Sequence, residues 1–152
     1  MLDRILVLLT HSETVVSVDR REDLQVAAAA LLVEAARMDD RFDESERRTV
    51  EGLLSARFHL SADETRRLLD AAERAADQST QLFRFTQTVA QNLSPAERAG
   101  LIEMLWEVAY ADGILAPQED ALIRRIAGLV YVPDSERTAA RRRVRQRLGL
   151  VG

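Results

Sequence analysis

The 152-residue chain contains no cysteine and no lysine, and only 5% of its residues are aromatic. Without cysteine there is no disulfide, no thiolate nucleophile and no zinc site of the thiolate kind. Without lysine, all 21 basic residues are arginines. Three prolines and six glycines leave long stretches with no helix breaker. No apolar run approaches the roughly 20 residues that span a bilayer. The opening "MLDRILVLLT" has a short apolar core and no small-residue cleavage site after it, so a cytoplasmic protein is the expectation. The net charge of −4 gives no argument for nucleic acid as a partner.

What is present is apolar residue of the helical kind. Apolar side chains make up 47% of the chain, with alanine and leucine dominant, and no segment alternates as a half-buried strand does. The pattern predicts an all-α fold, a compact bundle of seven to eight helices in one domain over 1–152. Start signals punctuate it. Asp43 with Glu46, Ser61 with Glu64 and Ser94 with Glu97 each pair a capping residue with an acid three residues on. Pro117 opens a further helix and Asp134 is expected to cap the last. The helices before the two acidic turns are expected over Leu24–Met38 and from Pro95 to Ala111, with a middle helix ending near Asn92.

Sliding the chain by 73 residues lays "LVEAARMDDRFDESE" (32–46) on "LWEVAYADGILAPQE" (105–119) without a gap. This divides the chain into an N-terminal helix and loop (1–20), a first repeat (21–77), a bridging helix (78–92) and a second repeat (93–150). The expected architecture is two similar halves related by a pseudo-twofold axis. Each half holds the same acids: Glu34, Asp39 and Glu46 in the first, Glu107, Asp112 and Glu119 in the second. Glu46 lies four residues before Val50 and Glu119 four before Ile123, so both fall on an apolar stripe. Two readings stand. Turn and cap chemistry accounts for each acid separately, since Asp ends helices and a third-position Glu bonds the cap amide. An oxygen-only set of six acids instead suits a divalent cation, Ca²⁺, Mg²⁺ or Mn²⁺. It is not an EF-hand, because the twelfth position is Val50 or Ile123 where a bidentate Glu belongs.

The two acidic turns, "LFRFT" (82–86) and "LWEVAYADG" (105–113) resemble the TerB-like family, named for bacterial tellurite resistance, and most closely its stand-alone bacterial members. A related domain type is found N-terminal in a DnaJ-like co-chaperone, although no "HPD" follows here. The resemblance covers about 22–148. It implies an all-helical module of two halves, linked to tellurite or stress response, with the paired turns as a metal or interaction site. It places the family's turn Asp on Asp39 and Asp112 and its helix-start Glu on Glu46 and Glu119. The family's Ala-Asp-Gly is intact at 111–113 but reads Met38-Asp39-Asp40 in the first half.

No enzyme is expected. His11 and His59 are the only histidines, one in the N-terminal loop and the other at a helix end before a cap; there is no Glu-x-x-His motif and no glycine-rich phosphate loop. The basic "RTAARRRVRQRLGL" (137–150) is read as a docked helix with Val144 and Leu148 as its seam, not as a nucleic-acid stripe. Leu2, Ile5, Leu6 and Leu9 have helical spacing and suit docking onto the bundle, or contact with a membrane surface or a second subunit if exposed.

Overall fold

The computed structural model describes residues 21–38, 43–78, 82–111 and 115–150. Among these residues there are seven helices and no strand. They are α1 (21–36), α2 (Glu44–Phe58), α3 (Ala62–Gln78), α4 (Leu82–Asn92), α5 (Pro95–Ala109), α6 (Pro117–Leu129) and α7 (Asp134–Arg147). The N-terminal stripe Leu2–Leu9 and His11 lie outside the described residues.

Two helices form the middle of the bundle. In α1 every residue from Ala27 to Val33 is buried, and in α5 Leu101, Ile102, Met104, Leu105, Trp106, Val108 and Ala109 are buried. α1 and α5 are apolar over most of their circumference, α5 keeping Glu103 and Glu107 on one side, so both have neighbours on most sides. The remaining helices are amphipathic and supply one face each. α2 contributes Val50 and Leu54, α3 Leu68, Leu69, Ala72 and Ala76, α4 Phe85 and Val89, and α6 Ile123, Ile126 and Ala127. α7 contributes only Ala140 and Val144. Each fully buried Leu or Ile removed from water stabilises by roughly 1.5–3 kcal/mol.

Local chemistry fixes most helix starts as expected. The Glu46 amide donates to Asp43 Oδ1 at 2.8 Å, and reciprocal bonds join Ser61 to Glu64 and Ser94 to Glu97. The expectation for α7 is corrected. Pro133 holds the N-cap position with no side-chain bond, and Asp134 is the first helical residue, paired with Arg137 at 2.7 Å. The reason is that proline's fixed φ already sets the extended entry. Two further boundaries shift: α1 begins by residue 21 and turns at 37–38, and α5 ends at Ala109.

The ends of α2, α6 and α7 share one device. One or two residues past each helix the chain turns left-handed, at His59 (φ 54°), Tyr131 (φ 61°) and Gly149 (φ 72°). The next amide then reaches back to a carbonyl five residues earlier: Leu60 to Ser55, Val132 to Ala127 and Leu150 to Arg145. His59 and Tyr131 are 72 residues apart, whereas the starts of α2 and α6 are 73 apart. The gapless alignment of the two halves therefore slips by one residue within the second helix of each.

Candidate functional site

Five helices carry a glutamate at the third helical position: Glu46, Glu64, Glu97, Glu119 and the exposed Glu136. They form an internal comparison. Glu64 and Glu97 complete capping boxes while exposed, and the bonds from the Ser61 and Ser94 backbone amides lower their pKa values. Glu46 and Glu119 occupy the same position but are 8% and 6% exposed. A third-position glutamate can therefore cap a helix in this fold without burial, and burial of a carboxylate is costly unless something compensates it. Glu119 Oε1 accepts the Ala116 amide at 3.4 Å, a long bond, and Ala116 offers no side-chain oxygen in return. Glu46 follows the Asp43 cap.

The other four acids of the set are distributed differently. Asp39 and Asp112 lie outside the described residues. Glu34 is half-buried on α1, and burial raises its pKa against the nearby Arg37 charge, with Asp77 adding to the rise. Glu107 is bound to the Arg147 guanidinium on α7, which also pairs with Glu103 at 3.0 Å. Among the described residues no group of three or more histidine or acidic side chains is placed to hold a metal ion.

Ion pairs orient the helices around these acids. Arg143 and Arg147 on α7 meet Glu103 and Glu107 on α5 one turn apart in the same sense, so the two helices run parallel. Arg98 on the first turns of α5 donates to the Val130 carbonyl at the end of α6, at 3.1 Å, so α6 returns antiparallel. In the first half Arg37 after α1 pairs with Asp77 near the end of α3. Arg47 at the start of α2 pairs with Asp70 and Glu73 on the later part of α3. Arg57 near the end of α2 and Glu97 at the start of α5 approach to 3.7 Å.

The basic helix is largely engaged within the molecule. Arg141 Nε donates to the Tyr110 hydroxyl at 2.8 Å and its guanidinium lies over the Trp106 ring at 5.5 Å. Arg145 lies over the Tyr110 ring at 5.9 Å. Sequence reading placed this helix on the bundle but missed what receives its charge. The signal was present: Glu103 and Glu107 are spaced four apart, as are Arg143 and Arg147 and also Arg141 and Arg145. His59 is exposed at the end of α2, where it serves as a left-handed helix terminator. No helix among the described residues is long and apolar enough to cross a membrane.

The family model described as tellurite resistance protein TerB matches residues 25–142. No curated protein and no solved structure matches the chain.

Proposed function

The chain belongs to the tellurite resistance protein TerB family, and on that premise we propose that it is a non-enzymatic cytoplasmic module binding a divalent cation through its two acidic turns, in tellurite or stress response. The observation that carries this reading is the burial of Glu46 and Glu119 against the exposure of Glu64 and Glu97. Both carboxylates have partners within the fold, and a cation at the turns adds to those contacts. Asp39 with Glu46 and Asp112 with Glu119 are the proposed ligands, with Glu34 beside the first turn. Glu107, held by Arg147, is the least suited of the six. Oxygen donors without sulfur or imidazole favour Ca²⁺, Mg²⁺ or Mn²⁺.

The second reading is a structural domain that recruits a protein partner or a second copy, its acidic turns being caps. Two bonds favour it: Asp43 takes the Glu46 amide and Glu119 takes the Ala116 amide. Melting of the wild type and of Asp112→Asn/Glu119→Gln, each in cation and in chelator, separates the two. The cation reading expects wild-type stabilisation of about 2.7 kcal/mol at a hundredfold excess over Kd, and none in the variant. The capping reading expects superimposable wild-type curves and a variant weakened by about 1 kcal/mol in both.

A further inference from the structure

We propose that α7 is a charge-latched strap, able to leave α5 while α1–α6 stay folded. The inference rests on what lines the seam. Of the fourteen residues of α7 only Ala140 and Val144 are buried, both small, and six of the fourteen are arginines. Four of those arginines make the contacts to α5: Arg141 to Tyr110 and Trp106, Arg145 to Tyr110, Arg143 to Glu103, and Arg147 to Glu103 and Glu107.

The third helix of the first half shows what an apolar seam looks like here. α3 starts at Ala62 and α7 at Asp134, an offset of 72 residues. At that offset Leu68 corresponds to Ala140, Leu69 to Arg141, Ala72 to Val144 and Ala76 to Leu148. Leu69 is wholly buried, whereas Arg141 is half-buried; Ala76 is buried, whereas Leu148 is exposed. α7 thus has a cation where α3 has its central leucine, and Leu148 just after it faces solvent, while Leu150 packs against the core. The ion pairs that replace that apolar contact are part-exposed, with Glu103 and Glu107 side chains each 21% accessible and those of Arg143 and Arg147 51%. Pairs of this kind are screened as ionic strength rises. The remaining helices keep their own core, in which Leu31, Leu32, Val50, Leu54, Leu69, Leu105, Ile123 and Ile126 are fully buried. Release of α7 uncovers Trp106 and Tyr110.

The chain carries its own reporter, because Trp106 is its single tryptophan and is 1% exposed. In chelator, raising NaCl from about 0.05 to about 1 M shortens the screening length to roughly 3 Å. The Trp106 emission should then shift to longer wavelength. Amide exchange over 134–147 should accelerate at least about tenfold, with exchange over 95–109 and 117–129 unchanged. Arg141→Leu, which places the α3 residue at the seam, should remove both responses, and Glu103→Gln should bring them on at lower salt. The wild-type titration decides the matter even if a variant folds poorly. Equal protection of α5 and α7 at every salt concentration, or loss of protection in all helices together, overturns the proposal.

Discussion

Tyr131→Gly should stabilise the protein, and the structure gives the size. Tyr131 follows α6 at φ 61°, a conformation that glycine adopts freely and a residue with a Cβ does not. The left-handed state costs such a residue roughly 1–2 kcal/mol. Glycine gives back roughly 0.5–1 kcal/mol of this through the greater freedom of its unfolded backbone. The ring is 75% exposed, so its removal forfeits little packing. The Val132 amide bond to Ala127 at 2.8 Å closes the helix in either case. The net gain is therefore about 0.5–1 kcal/mol, or roughly 1–4 °C in Tm for a chain of this size. Urea unfolding gives the value directly, from the midpoint at constant slope. Tyr131→Ala is the control, because it removes the ring and keeps the Cβ, and it should lie within about 0.5 kcal/mol of wild type. A Tyr131→Gly protein less stable than wild type, or an alanine variant gaining as much as the glycine one, would refute the reasoning.

Other outcomes follow from the same geometry. Gly149→Ala, at φ 72° after α7, should cost about 1 kcal/mol in urea unfolding, opposite in sign to Tyr131→Gly. Leu105→Ala, wholly buried in α5, should cost about 2–5 kcal/mol, read the same way. Glu97 has its pKa lowered chiefly by the Ser94 amide, then by the Ser94 hydroxyl, with Arg57 adding less. Its contribution to stability is therefore present above the ordinary glutamate value of 4.5 and lost as pH falls through the lower folded value. The gap in Tm between wild type and Glu97→Gln should accordingly close at acid pH. An experimental structure should superpose 24–77 on 97–150, with one residue inserted in the first half near the end of its second helix; halves of different helix order would contradict the repeat.

The sequence declared its helices wherever the signal was local. Asp43, Ser61 and Ser94 each reach an amide only three residues away, so residue type and spacing suffice to place them. Asp134 misled because the same spacing logic ignored Pro133, whose ring fixes the backbone before any side chain acts. The ends of α2 and α6 gave no warning at all. A left-handed terminator is expected to be glycine, and here it is histidine and tyrosine, held by the bonds from Leu60 and Val132.

The candidate site was legible in proportion to how far periodicity reaches. Glu46 and Glu119 stood on the stripes of Val50 and Ile123, and their burial follows from that position. Glu34 and Glu107 matched in the alignment, yet the residues that receive them lie on another helix, which no spacing within one helix reports. Glu107 meets Arg147 across the bundle, while Glu34 shares its neighbourhood with Arg37 and Asp77. The same long-range step identifies what the docked basic helix rests on. Glu103, Glu107, Trp106 and Tyr110 lie beneath four of its six arginines, which spacing within the helix does not report. The two expected halves therefore differ in charge pattern. Asp70, Glu73 and Asp77 on α3 hold the arginines near the first turn, and Arg143 and Arg147 on α7 hold an acid near the second. On the proposed cation reading Glu107 at the second turn is already paired with Arg147, so Asp39→Asn with Glu46→Gln should weaken binding more than Asp112→Asn with Glu119→Gln. Calorimetric titration of both double variants with Ca²⁺ and Mn²⁺ measures that order, and equal losses would show that the arginines of α7 leave the second turn's field unchanged.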